Sequence, residues 1–357
     1  MKKMIIALAA TAALLGGFAS GVQAQDKTKV CFIYVGSKTD GGWSQAHDIG
    51  RQALQEHFGD KIETPILENV PEGPDAERAI ERMARSGCGM VFTTSFGFMD
   101  ATVKVAEKFP DIKFEHATGF KSAENLATYN ARFYEGRYIQ GQIAAKMSKK
   151  GVAGYIASFP IPEVVMGINA FILGAQSVNP DFELKVVWAN TWFDPGKEAD
   201  AAKALIDQGV DILTQHTDTT APMQVAAERG ILAFGQASDM IAAGPNTQLT
   251  AIVDTWAAYY IKRVQAHLDG NWKSEQIWDG LKDGILTMAP YTNMPDDVKA
   301  MAEETEAKIK SGELHPFTGP VKKQDGTEWL AEGQKADDGT LLGMNFYVEG
   351  VDDTLPQ

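Results

Sequence analysis

From Val30 onward, short apolar runs alternate with stretches whose apolar residues recur every three or four positions, and the whole order is run through twice. Val30 to Val35 (VCFIYV) is a buried-strand run, followed by a helix predicted over Trp43 to Phe58 and a strand over Glu63 to Asn69. Ala76, Ala79, Ile80, Met83 and Ala84 share one face of a helix from Pro74 to Arg85, which Gly87 ends. Strands over Met90 to Thr94 and Ile112 to His116 flank a helix over Asp100 to Phe109, stopped by Pro110. The second pass predicts strands at Val152 to Ser158, Leu184 to Trp188, Ile212 to Gln215 and Ile231 to Phe234. Between them lie helices at Val164 to Val178, Glu198 to Asp207 and Ala221 to Arg229. Setting Gly87 on Gly209 puts Met83 on Leu205 and Met90-Val91 on Ile212-Leu213. Such alternation calls for a parallel sheet covered by helices on both faces. The fold class expected is α/β, with two similar Rossmann-like lobes rather than one long sheet.

After Leu249 the sequence predicts a helix near Thr255 to Asp269, a single strand-like stretch from Ile277 to Met288, and a helix from Asp296 to Ser311. The polar, Gly-rich remainder is too short for a third domain. Lobe 1 is expected to comprise residues 25–130 plus about 253–273, and lobe 2 residues 131–252 plus about 274–320. Residues 321–357 then form a tail that returns to the lobes.

Residues 1–24 read as an address. Lys2 and Lys3 precede an apolar run from Met4 to Leu15, and Val22-Gln23-Ala24 fits a small-x-small cleavage site. The run is too short for a membrane anchor, which needs about 20 apolar residues. Export to the periplasm with cleavage after Ala24 is expected. Cys31 and Cys88 begin two predicted strands. An oxidising compartment allows them to pair, and two buried free thiols are the equally open alternative. Neither fits a zinc or CxxC redox pattern.

The chain carries 47 acidic residues against 33 Lys and Arg, a formal net charge of −14. A polyanion binder shows a basic surplus or stripe, so a nucleic acid polymer is excluded as partner. Ligands of open parallel sheets sit beyond the carboxyl ends of the strands, where strand order reverses. Two facing lobes place two such edges around one cleft. The loops there hold Asp40, Trp43, Ser95, Phe96, Phe98, Phe159, Trp192, Phe193, Asp218 and Asp239, with Lys38 almost alone among bases. Aromatic faces stack on flat rings, and carboxylates accept from N–H and O–H donors. An uncharged heteroaromatic ligand satisfies both. The candidate binding residues are Asp40, Trp43, Ser95, Phe96, Asn130, Trp192, Phe193, Asp218 and Asp239. Asp194 precedes Pro195 and reads as a helix cap instead.

No HExxH, GxSxG, Walker or GxGxxG pattern occurs in the setting its chemistry requires. The six histidines form no ligand-type pair, and His116 and His216 read as hydrogen-bonded wall residues. No catalytic residue, metal or cofactor is expected, and the chain reads as a binding protein rather than an enzyme.

Several ordered motifs carry a resemblance: TDGGW at 39–43, YNARFYEGRYIQGQIAAKM at 129–147, GINAFILGAQSVNPDFELKVVW at 167–188, the TWFDPGKEAD segment from Thr191, AFGQASDM at 233–240 and LTAIVD at 249–254. Together they resemble the basic membrane protein family, substrate-binding proteins of ABC importers that include purine nucleoside receptors. The resemblance implies a two-lobed type I periplasmic-binding-protein fold, a purine in the cleft, an inner-membrane ABC permease as partner, and a monomer. It implies that Asp40 and Trp43 match the family's aspartate and aromatic after the first strand. Phe193 matches the aromatic that stacks on the base, and Asp239 the acid that holds ribose hydroxyls. Nucleoside-binding members carry a lysine after the strand re-entering the first lobe, where this chain has Asp254. That departure favours a nucleobase such as adenine or hypoxanthine over a nucleoside. A riboflavin-like or sugar ligand on the same fold, and an exported purine nucleoside hydrolase, are the alternatives.

Overall fold

The structure is a computed structural model that describes residues 27–356. The expected signal peptide lies outside the described residues. The first strand, β1 (Thr28–Tyr34), is buried from Val30 to Tyr34, as a strand covered on both faces must be. It is followed by α1 (Trp43–Phe58), β2 (Ile62–Glu63), β3 (Ile66–Leu67), α2 (Pro74–Arg85), β4 (Cys88–Thr94), α3 (Met99–Lys108), β5 (Lys113–Ala117) and β6 (Leu126–Ala131). The second unit comprises α4 (Phe133–Met147), β7 (Val152–Ala157), α5 (Pro162–Gln176), β8 (Glu183–Trp188), α6 (Pro195–Asp207), β9 (Ile212–Gln215), α7 (Ala221–Arg229), β10 (Leu232–Gly235) and β11 (Gln248–Asp254). Then come α8 (Ala257–Leu268), β12 (Gln276–Asp279), β13 (Leu286–Met288), α9 (Asp296–Ser311), β14 (Val321–Lys322), β15 (Glu328–Leu330), α10 (Asp338–Leu342) and β16 (Val351–Asp352).

Two seven-stranded sheets result. One runs β12-β6-β5-β4-β1-β2, with β3 also on β1, and the other runs β13-β11-β10-β9-β7-β8-β16. Strand for strand the two orders match, so β1, β4, β5 and β6 correspond to β7, β9, β10 and β11. In each sheet the order reverses at the first strand, which sits between the second strand and the third. Local chemistry explains the helix limits. Pro74 opens α2, with Asp75 and Glu77 in its first turn and Arg82 and Arg85 in its last, matching the helix dipole. Gly87 and Gly209 follow the ends of α2 and α6 with φ of 88° and 98°, a conformation costly for residues with a Cβ.

The single strand-like stretch expected over Ile277 to Met288 is two strands in different sheets. β12 pairs parallel with β6, whereas β13 pairs antiparallel with β11. The third crossing therefore falls at residues 280–285, not near 274. The other two lie beside Arg132 and Thr255. The tail contributes β16 to the edge of the second sheet, parallel to β8. It also grips a crossing segment: both Arg132 Nη atoms donate to the two oxygens of Asp338, at 2.8 and 2.7 Å. Cys31 and Cys88 form a disulfide between β1 and β4, with Cα atoms 6.0 Å apart. Pairing rather than free thiols follows from adjacency, since β1 and β4 are neighbours in the sheet.

Candidate functional site

A partly enclosed cavity lies where the two sheets' carboxyl edges face each other. Each lining residue follows a strand end or a crossing. Val35 follows β1, Ser95 and Phe96 follow β4, and Thr118 follows β5. From the second lobe, Glu163 follows β7, Trp192 follows β8, His216 and Asp218 follow β9, and Gln236 follows β10. Trp43 opens α1, and Phe133 stands at the first crossing. No Lys or Arg among the described residues lines it.

The aromatic walls are held from behind. Trp43 donates its indole N–H to the Thr94 carbonyl at 2.7 Å and packs edge-on to Phe133 and Trp256, with centroids 6.1 and 5.7 Å away. Trp192 leans on Phe159 at 5.2 Å, and its indole N–H donates across the cleft to Glu72 Oε1 at 3.1 Å. The same carboxylate oxygen accepts from Ser95 Oγ at 2.6 Å and from the Gly97 N–H at 3.1 Å. One acid of the first lobe thus fixes cavity walls on both lobes.

Beneath these walls lie buried ionisable groups. Burial raises the Glu163 carboxyl to about 8, countered by the nearby Asn130 amide and the Arg137 charge. Asp218 is held well above the usual carboxylate range by burial, and by the nearby charges of Asp40, Glu198, Asp254 and Glu163. Glu163 Oε2, Asp218 Oδ2 and both oxygens of Asp254 are buried without a protein partner. Burial, and the Arg137 charge, keep His216 neutral. Its Nδ1 lies 3.1 Å from the Tyr155 hydroxyl, so it acts as a hydrogen-bonded wall residue. Unpartnered buried polar atoms are costly in a folded protein. Glu163 and Asp218 line this cavity, whereas Asp254 lines a neighbouring one, and a ligand carrying hydrogen-bond donors would satisfy the first two.

Of the nine residues expected from the sequence, Trp43, Ser95, Phe96, Trp192 and Asp218 line this cavity. Four stand elsewhere. The Asp40 carboxylate is consumed by the N-terminus of α1, accepting from the Gly42, Ser44 and Gln45 N–H groups at 2.8–3.0 Å. Asn130 is buried just outside the lining, its Oδ1 accepting from the Ala131 N–H at 2.7 Å. Phe193 is 37% exposed, because its neighbour Trp192 takes the inward position. Asp239 is exposed and accepts from the Ile241 N–H and from Gln248 Nε2, at 3.1 and 2.7 Å. Asp194 caps α6, accepting from the Gly196 and Lys197 N–H groups, both at 3.1 Å.

Phe133, Glu163 and Gln236 were not singled out. Glu163 follows Pro162 in a first helical turn, where an acid reads as dipole compensation. Gln236 begins the loop from which Asp239 was chosen, so position, not residue type, was the available signal.

The chain matches the profile of the family described as ABC transporter substrate-binding protein PnrA-like over residues 27–319. It belongs to this basic membrane protein family. A purine-binding protein of Brucella abortus is 70% identical over 344 residues, covering 96% of this chain and 97% of that one. A Haloferax volcanii protein, whose name proposes glucose binding for an ABC transporter, is 35% identical and covers 93% of this chain and 82% of its own length. Among solved structures, an ABC transporter solute-binding protein from Aeropyrum pernix aligns with a TM-score of 0.71 at 18% identity, over 88% of this chain and 95% of that one. The chain is thus a substrate-binding protein of an ABC transporter, with the two-lobed periplasmic-binding-protein fold of that family.

Proposed function

We propose that this protein is an exported receptor that closes its two lobes over an uncharged purine and hands it to an inner-membrane ABC permease. A nucleobase is favoured over a nucleoside. The observation that carries this reading is the cavity itself: Trp43, Phe96, Phe133 and Trp192 line it together with the unpartnered carboxyl oxygens of Glu163 and Asp218, and among the described residues no Lys or Arg lines it to meet a phosphate or carboxylate. Flat aromatic walls suit a flat ring, and the carboxyl groups suit its N–H edge. Asp254, buried where nucleoside-binding relatives carry a lysine, supports the smaller ligand. The 70% identical relative named for purine binding supports the ligand class.

In this reading the protein performs no catalysis. Its work is to shift an open–closed equilibrium, because the ligand meets both lobes only when they are shut. Export and cleavage after Ala24 belong to the same proposal, as does a monomeric state. Native mass spectrometry of the purified protein, followed by calorimetry with adenine, hypoxanthine, adenosine, inosine, riboflavin and glucose, tests it. The expected result is tight binding of a free purine base. Preferential binding of glucose or riboflavin would replace the purine reading. Release of base from inosine would replace the receptor reading by a hydrolase.

A further inference from the structure

We infer that Gln236 is the cavity's committed hydrogen-bond donor, oriented by the buried Arg137, and that the ligand must meet it with an acceptor on its ring edge. The inference rests on the purine reading above and goes further by assigning the polarity of one contact. Arg137 is fully buried, and its guanidinium can only donate. Its Nη1 donates to Thr214 Oγ1 at 2.9 Å and its Nη2 to the Gln215 carbonyl at 2.8 Å, while the charge sits 5.2 Å from the Tyr155 ring centroid. Nη2 also donates to Gln236 Oε1. The amide oxygen must therefore face Arg137, because the amide nitrogen cannot accept from it. With the oxygen so held, the opposite side of the amide is its NH₂. That nitrogen has no acceptor among the described residues, and Gln236 lines the cavity.

Most other side-chain donors of the lining are spent on the protein, and the ring nitrogens of His216 face Tyr155 and Glu163, Nδ1 at 3.1 Å from the hydroxyl and Nε2 at 3.5 Å from Oε1. Trp43 donates to the Thr94 carbonyl, Trp192 and Ser95 to Glu72, and Thr118 Oγ1 to the Ala117 carbonyl at 2.8 Å. Glu163 and Asp218 can donate or accept, depending on whether a proton is present. Gln236 has no such choice. A ring nitrogen or ring carbonyl opposite it gains a hydrogen bond; an N–H or C–H there leaves the amide without a partner.

The test uses the full-length mature protein, adenine and the 1-, 3- and 7-deaza analogues, each of which replaces one ring nitrogen by C–H. Hypoxanthine, its deaza analogues and unsubstituted purine, which lacks the C6 carbonyl, replace them if hypoxanthine binds the wild type better. Gln236→Glu keeps the shape and the partner of Arg137 but presents no fixed donor. Calorimetry should show one deaza analogue binding the wild type at least about tenfold more weakly, the scale of one unpaired buried group. The Q236E variant should lose a similar factor for the parent base and no longer discriminate against that analogue. Equal affinity of wild type and Q236E, with discrimination intact, would overturn the inference. If Q236E does not fold, the wild-type series decides: indifference to every ring-nitrogen and carbonyl deletion overturns it too. A wild type that binds neither base overturns the purine reading beneath it, a separate outcome from a purine binder indifferent to Gln236.

Discussion

At the scale of single residues, the site is a set of acids held out of water. Glu163 titrates near 8 because burial penalises its charge. The folded protein therefore holds a proton that the unfolded chain releases near the ordinary glutamate value, and stability falls as pH rises between the two. Asp218 and Asp254 act with the same sign, while the buried neutral histidines His47, His116 and His216 act oppositely on the acid side. The difference between wild type and Glu163→Gln isolates one share. Relative to wild type, the variant should gain stability from pH 6 to pH 9 by up to about 1.4 kcal/mol per unit, read as converging or crossing melting curves. Parallel curves would show that the Glu163 proton is not linked to folding. Trp43→Ala should weaken purine binding by more than about tenfold, since base–aromatic stacking is worth roughly 1–3 kcal/mol. Unchanged calorimetric affinity would remove Trp43 from the ligand. The residues on these walls were legible in unequal measure. Trp43 and Asp218 stand out as an aromatic and an acid in loops, whereas Glu163 resembles an ordinary first-turn acid until the cavity is seen.

At the scale of elements, limits were legible wherever local chemistry decides them. α2, α7 and α9 begin and end where proline, glycine and apolar spacing place them. Asp194 is the plainest case, with its carboxylate on two N–H groups of α6 and Pro195 next to it. Asp194→Ala should lower stability by about 1 kcal/mol with ligand affinity little changed, because the cap lies outside the cavity. Chemical denaturation checks this, and no loss would mean water replaces the cap. Helix α4 was not picked out, because it is buried on several faces: Phe133, Tyr134, Arg137, Ile139, Gln140 and Ile143 are all covered. A helix wrapped by neighbours loses the one-sided pattern that marks surface helices. The merged stretch from Ile277 to Met288 misled for the complementary reason. Two strands of four and three residues carry too little periodicity to reveal that each belongs to a different sheet.

At the scale of the whole molecule, the two lobes touch across the cleft. The loop at Gly41-Gly42 abuts the second lobe: Ser238 Oγ donates to the Gly41 carbonyl, and a Cβ on Gly42 would overlap the Asp218 carbonyl. Glycine at 42 permits this approach of two backbones. Gly42→Ala should therefore hinder closure, weakening ligand binding by about tenfold or more and reducing the ligand-induced compaction seen by small-angle scattering. Full compaction with wild-type affinity would show that the lobes close without this contact. Glu72→Ala should act at the same level, since Glu72 links Trp192 to the first lobe. Its effect should be smaller in a Trp192→Phe background, which lacks the indole donor but keeps the Ser95 and Gly97 bonds to Glu72. Additive losses in the double variant would mean the two residues act separately.

Local sequence sets the two-lobed α/β architecture, apart from the split at β12 and β13, because strand and helix periodicity, proline starts and glycine stops are properties of neighbouring residues. It also determined which loops surround the cleft, since strand ends in a parallel sheet share one edge. Only the tertiary structure decided which side chains of those loops turn inward. Trp192 rather than Phe193 faces the cavity, Asp40 serves a helix, and Arg137 reaches from α4 to orient Gln236. Those outcomes depend on contacts between residues up to 120 positions apart, such as Trp192 with Glu72, and no local pattern records them.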